Sequence, residues 1–271
     1  MHLKFHFYFN MKKKEIIEYI SGWLNNYCEQ SNQKGFIIGI SGGIDSALTS
    51  TLCALTGKNV LVVSMPIRQR NNEYHRALKH IEFLEKKFQN VKSLDIDLTQ
   101  TFEVFEKSVP MQTFENKLAM ANSRSRLRMT TLYAIGQANG LLVVGTGNKI
   151  EDFGVGFYTK YGDGGVDISP IADLTKTQVG ELAKKLNVIE EILNAEPTDG
   201  LWDEEGRNDE NQMGASYPEL EWAMNYVDSN LNKELTLREK EVLTIYKRLN
   251  KQNKHKMIPI PVCGIPKELF N

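Results

Sequence analysis

The chain has 271 residues, 41% of them hydrophobic and 25% charged, enough for one large core and too few for a second catalytic domain. Its 33 basic and 34 acidic residues leave a formal charge of −1, which argues against general binding to nucleic acid or a membrane surface. Cys28, Cys53 and Cys263 are odd in number, widely spaced and free of any CxxC pair, so neither a disulfide framework nor a zinc knuckle is suggested and a reducing cytoplasm is expected.

The opening HLKFHFYFNMKKKE mixes aromatics with lysines and lacks a small-residue cleavage site. Residues 1–11 therefore read as an extension of a single domain over 1–271, with Met11 an alternative start. No run is long enough to span a bilayer. Ile16, Ile17, Ile20, Trp23, Leu24 and Tyr27 recur at helical spacing and predict an amphipathic helix over 12–30. The apolar run Phe36 to Ile40 is the first strand, and it breaks into Ser41-Gly42-Gly43-Ile44-Asp45-Ser46 before a helix from Ser46 to Leu55.

That break reads as a phosphate cradle without a lysine. Adjacent glycines let backbone N–H groups approach an anion, and the following helix aims its positive dipole end at it. Asp45 inside the cradle repels phosphates unless a divalent cation lies between them, so the motif calls for ATP with Mg2+. The plainer alternative is a glycine turn with a Ser or Asp cap.

Further along, Val60 to Ser64 predicts a strand, 74–88 a helix, 91–96 a short strand, 116–138 a long helix and Leu141 to Gly145 another strand. Apolar strands alternating with helices point to an α/β fold, a doubly wound and mostly parallel sheet with helices on both faces. In such sheets ligands bind beyond the carboxyl ends of the strands. Arg124 and Arg128 share one face of the long helix while Arg126 points away, and the choice between a solvated basic face and a grip on an anionic substrate is open.

Residues 145–173 are rich in glycine and scattered charge and read as a functional loop. Magnesium needs a second carboxylate beside Asp45; Glu151 in this loop is the candidate and Asp152 its near rival. Thr146 follows the strand directly and can meet nucleotide or simply brace the turn. A helix resumes at Thr175 and Gln178, a capping box, with Val179, Leu182, Ala183 and Leu186 on one face. Residues 199–214 are acidic and nearly free of aliphatics, either a solvated loop or a lid over substrate. Two helices, Tyr217 to Leu231 and Leu237 to Lys251, precede a proline-rich tail.

Ser41 to Ser46 resembles the SGGxDS loop of the N-type ATP pyrophosphatases, which cleave ATP between the α and β phosphates and adenylate a substrate oxygen. Asn122 to Met129, Gly145-Thr146-Gly147-Asn148 with Glu151, Phe157-Tyr158-Thr159-Lys160-Tyr161-Gly162-Asp163-Gly164-Gly165, Pro197-Thr198 and His255-Lys256 together resemble the NAD synthetases. The resemblance implies a Rossmann-like fold and ATP-dependent amidation of nicotinic acid adenine dinucleotide with ammonia, giving NAD, AMP and pyrophosphate. It implies that Gly39, Ile40, Ser41, Gly42, Gly43, Ile44, Asp45, Ser46, Thr146, Lys176 and Thr198 bind ATP, and that Asp45 and Glu151 bind magnesium. It further implies that Arg126, Lys160, Asp167, His255 and Lys256 bind the dinucleotide, that Asp163 receives a proton from ammonium, and that the chain is a homodimer.

Two departures stand out. Relative to many bacterial members one residue is added between Glu151 and Lys160, and Gly147-Asn148-Lys149 replaces the aspartate-histidine turn of some members. With no amidase domain of its own, the chain is expected to use free ammonia or ammonia from a partner. The alternatives are a tRNA thiolase, which calls for paired cysteines and a basic surface, and a non-catalytic ATP-binding module, which has no use for two metal-binding carboxylates.

Overall fold

The computed structural model describes residues 11–69, 71–198, 200–202, 208–229 and 234–270. The extension read over 1–11 thus lies outside the described residues except for Met11, as do residues 199 and 203–207 of the expected lid.

Helix α1 (Lys13–Gln30) leads into β1 (Gly35–Gly39), followed by α2 (Ile44–Leu55), β2 (Asn59–Ser64), α3 (Asn71–Lys87) and β3 (Val91–Asp95). Helices α4 (Thr99–Ser108), α5 (Met111–Phe114) and α6 (Lys117–Asn139) then cross to β4 (Leu141–Val143). The four strands are parallel in the order β3-β2-β1-β4, with Ile37 of β1 facing Leu61 on one side and Val143 on the other. Alternation along β1 sends Phe36 and Ile38 into the core shared with α1 and α2, and Ile37 into the core shared with α4 and α6. Phe36, Ile37, Ile38, Leu48 and Leu52 are all fully buried, each worth about 1.5–3 kcal/mol of apolar transfer. The chain direction across the sheet reverses between β1 and β4, so their carboxyl ends flank the crevice where such folds take ligands.

The sequence reading places the first two helices and strands within a few residues of their positions and passes over α4. The α4 stretch TQTFEVFEKS buries only Phe102 and leaves Val104 and Phe105 exposed, so its apolar face is too thin to stand out. Helix α2 begins at Ile44 rather than Ser46 because Gly43, in extended conformation, is its N-cap.

After β4 the loop reading of 145–173 needs correction. Ile150–Val155 is a π-helix that ends at Gly156 in the left-handed conformation. Its i→i+5 bonding makes each turn wider than that of an α-helix. Then come α7 (Lys176–Lys185) with the capping box as read, α8 (Glu190–Leu193), α9 (Asp209–Met213), α10 (Tyr217–Ser229) and α11 (Leu237–Met257). Helices α10 and α11 pack on the π-helix through Ile150, Val155, Trp222, Val242 and Tyr246. This second cluster fixes the depth at which the π-helix presents its acids. Within the described part of 199–214, α9 is helical because Asn208 caps it by accepting from Asn211 N at 2.8 Å.

Candidate active site

A cavity of about 500 Å3 opens at the carboxyl ends of β1 and β4. Its floor is the loop from Gly39 to Ser46. The Ser41 and Ser46 hydroxyls lie 3.1 Å apart; Gly43 N donates to Ser41 Oγ and Ser46 Oγ donates to the Gly43 carbonyl. The two hydroxyls thereby brace the loop, while no side chain caps α2, which leaves its first N–H groups without a capping side chain beside the cavity. Gly42 has φ +83°, and a Cβ there would lie 2.3 Å from the Glu73 carbonyl, so α3 rests directly on the cradle. Arg76 of α3 donates from Nε to the Gly42 carbonyl at 3.2 Å, bringing a guanidinium to a cradle that has no lysine.

Three distant segments meet above that floor. Lys176, the first residue of α7, donates to Asp45 Oδ2 at 2.6 Å and to Glu151 Oε1 at 3.1 Å. Tyr217 O–H donates to the same Glu151 oxygen at 2.5 Å, and its ring lies 4.8 Å from the Lys176 ammonium. Asn148 is fully buried: its Nδ2 donates to Asp45 Oδ1 at 3.2 Å, and its Oδ1 accepts from the N–H groups of Ile150 and Glu151. One amide therefore caps the π-helix and orients the Asp45 carboxylate. Burial raises the Glu151 carboxyl, with Lys176 opposing it. Burial also works against the Lys176 charge, but Asp45 and Glu151 outweigh it and hold the ammonium above its ordinary value.

These donors suit magnesium. Two carboxylates already converge on one cation, and among the described residues no third acid, histidine or cysteine joins them. The remaining positions of an octahedron fall to phosphate oxygens and water, which is how magnesium is commonly held beside nucleotides.

The far wall is the turn Thr159 to Gly165. Asp163 Oδ1 accepts from Ser125 Oγ at 2.7 Å and Thr159 N at 3.0 Å, and Asp163 N donates back to Ser125 Oγ at 2.8 Å. A Cβ on Gly162 would lie 2.3 Å from Ser125 Oγ, and one on Gly164 would lie 2.4 Å from the Tyr158 ring, so both glycines are needed for the approach. Seating in the cleft raises the Asp163 carboxyl, against the hydrogen bonds from Ser125 and Thr159.

Thr146 and Thr198 also line the cavity, and Thr198 Oγ1 donates to Glu73 Oε1 at 2.7 Å. The five positions matched to the dinucleotide lie elsewhere. Arg126 donates to the Lys160 carbonyl, Lys160 Nζ reaches the His255 carbonyl, and Lys256 Nζ reaches the carbonyls of Gly156 and Tyr158. They form a cationic rim behind Tyr158, whose other side lines the cavity. Burial lowers the Lys256 amine. Asp167 stands apart, accepting from Val143 N and Tyr133 O–H at the β4 edge.

The three arginines of α6 divide as their spacing requires. Arg124 is buried and reaches the Leu201 carbonyl, Arg128 reaches the Met65 carbonyl and Gln69, and Arg126 faces the rim. Sequence reasoning missed Arg76, Asn148 and Tyr217 as site residues. Asn148, inside a polar turn beside the candidate acids, is the one of these that carried a local signal.

The chain is similar to known proteins over most of its length. The family model described as NAD synthase matches residues 16–259. The NH(3)-dependent NAD(+) synthetase of Mesoplasma florum is 38% identical over 226 residues, 83% of this chain and 88% of that one. The enzyme of the same description from Alkaliphilus metalliredigens is 38% identical over 261 residues, 92% of this chain and 98% of its own. Among solved structures, the NMN synthetase from Francisella tularensis aligns with a TM-score of 0.81 at 32% identity, covering 95% of this chain and 100% of the other.

Proposed function

The chain belongs to the NAD synthase family and is a carbon–nitrogen ligase that forms NAD from ammonia with ATP, and we propose the following division of labour among its residues. One observation carries it: Asp45, Glu151 and Lys176 converge beside the glycine cradle in the same cavity as Asp163. The N–H groups of the first turn of α2, with Arg76, hold the β and γ phosphates. Asp45 and Glu151 hold magnesium, which neutralises phosphate charge when bound. Thr146 and Thr198 contact the nucleotide, and Arg126, Lys160, Asp167, His255 and Lys256 bind nicotinic acid adenine dinucleotide.

The nicotinate carboxylate attacks the α-phosphorus as the bond to the β-phosphate oxygen breaks, and pyrophosphate leaves into the cradle. No side-chain nucleophile is needed, so positioning and charge carry the step. Lys176 stabilises the charge that develops on the phosphates. Ammonium gives a proton to Asp163; the freed lone pair attacks the acyl carbon, the C–O bond to AMP breaks, the nitrogen's surplus proton passes to the departing AMP phosphate, and the amide remains.

We place the reaction in the cytoplasm, where the free thiols of Cys28, Cys53 and Cys263 persist. We also propose a homodimer: Val104, Phe105, Met111, Phe114 and Leu118 are exposed along one stretch that a second copy would cover.

Incubation with ATP, magnesium, ammonium and either the acid dinucleotide or nicotinic acid mononucleotide tests the reading. NAD from the dinucleotide, with one AMP per amide, is expected. Preference for the mononucleotide would transfer the substrate assignment to the activity named for the Francisella relative, and ATP binding without AMP release would reject a ligase.

A further inference from the structure

Lys176 is the first residue of α7, an unfavourable place for a cation, because the helix dipole puts its positive end there and favours anions. The helix by itself therefore does nothing to keep the ammonium between Asp45 and Glu151. Of the N–H groups at this end, that of Gln178 donates to the Thr175 hydroxyl at 3.4 Å, and Gln178 Oε1 in return accepts from Thr175 N at 2.9 Å. The N–H of Thr177, directly after Lys176, is satisfied from another element. It donates to Glu221 Oε1 of α10 at 2.8 Å.

Glu221 is a buried acid that the steps above do not use. Burial raises its carboxyl, against the hydrogen bonds from Thr177 and Thr175. An apolar side chain would fill the same place without the cost of burying a carboxylate, so packing alone does not call for an acid there. Tyr217 lies four positions earlier, one turn back on the same face of α10. Its hydroxyl donates to Glu151 at 2.5 Å, and its ring stands 4.8 Å from the Lys176 ammonium. One face of α10 thus reaches both members of the pair: Glu151 directly through Tyr217, and Lys176 through the first turn of α7. Leu220 and Ala223, both fully buried, anchor α10 in the cluster that contains Ile150 and Val155 of the π-helix. The next acid of the π-helix stands outside this bracket, since the Asp152 carboxylate lies against Gly147, where an added Cβ would be 2.2 Å from Oδ1.

We propose that Glu221 is a positioning residue for the adenylation step: by fixing the first turn of α7 it holds the Lys176 ammonium at Asp45 and Glu151, and so at the phosphates. The assignment rests on the role given to Lys176 above.

The test measures ATP–pyrophosphate exchange driven by the acid dinucleotide in the full-length protein, in Glu221→Leu, Glu221→Ala, Glu221→Gln and Lys176→Met, and in the double variant Glu221→Leu/Lys176→Met. Glu221→Ala, which adds no bulk, takes the place of Glu221→Leu in both arms if the latter does not fold. Glu221→Gln keeps an acceptor oxygen at the same reach and is expected to stay within about fivefold of the unchanged protein, the scale of one charge–dipole interaction. Glu221→Leu and Glu221→Ala remove the acceptor, and kcat for exchange is expected to fall about tenfold or more, since a displacement of about 1 Å at a reacting group can cost about a hundredfold. The KM for ATP should change less than about twofold, because the lost contact acts in the transition state. On the Lys176→Met background, removing Glu221 should cost less than about twofold further, because the group it positions is gone.

Exchange at the unchanged rate in Glu221→Leu and Glu221→Ala, beside an impaired Lys176→Met, overturns the proposal alone. A Glu221→Gln loss as large as theirs overturns it too, and so does a loss that multiplies with that of Lys176→Met, which makes Glu221 a support of the fold at large. Unchanged exchange in Lys176→Met overturns the role of Lys176 and the proposal together.

Discussion

At the scale of single residues, the site depends on groups whose charge is set by neighbours far along the chain. Replacing Lys176 by Met removes the cation between Asp45 and Glu151 and leaves two partly buried acids facing each other. We expect ATP–pyrophosphate exchange driven by the acid dinucleotide to fall at least about a hundredfold, the loss typical of one removed electrostatic contact at a reacting centre. Asp163→Asn should depress amide formation far more than pyrophosphate release; equal loss of both would reject its role as proton acceptor. His80 supplies a pH test remote from the chemistry. It is fully buried, with Nε2 3.1 Å from Ser50 Oγ and its ring stacked on Phe83, and burial pushes its imidazolium down to about 4. The unfolded chain takes up that proton near pH 6.5, so the stability due to neutral His80 is present above 6.5 and is lost as pH falls towards 4, on the order of 3 kcal/mol. Denaturant midpoints at pH 7 and pH 4.5 should therefore converge in His80→Phe relative to the unchanged protein.

At the scale of elements, the two turns that carry the acids are fixed by small residues and caps. Gly162→Ala should force the Asp163 turn off α6, because its Cβ overlaps the Ser125 hydroxyl. Amide formation is expected to drop by an order of magnitude or more while the circular dichroism spectrum is retained; wild-type turnover would show that the turn can shift without consequence. The alternation of strands and helices was legible because the runs 36–40 and 60–64 are continuously apolar and the helices keep an apolar stripe. The π-helix was not legible. Its sequence, IEDFGV, has no apolar period and two glycines close by, and it is held by α10 and α11 packing on Ile150 and Val155. Helix α4 escaped for the related reason that a single buried Phe102 anchors it.

At the scale of the whole molecule, the reversal of strand order between β1 and β4 brings the cradle, the π-helix and α7 to one edge of the sheet. No helix among the described residues is long and apolar enough to cross a membrane. The exposed stretch from Val104 to Leu118 belongs to this scale as well, since nothing in one copy covers Met111 or Leu118, which are 67% and 58% exposed. Met111→Glu with Leu118→Glu should shift sedimentation from a dimer to a monomer, and a unchanged monomeric protein would remove the homodimer from the proposal.

The sequence by itself determined the glycine turn after β1, the parallel α/β layers and the set of acids and cations proposed for the chemistry. Those are local properties, written in glycine spacing, apolar period and short motifs. Only the tertiary structure decided which of them meet. Lys176 lies 131 positions from Asp45, and Tyr217 lies 66 from Glu151, so no periodicity connects them. It also separated Glu151 from its neighbour Asp152, because one residue of advance along a helix turns a side chain towards a different wall.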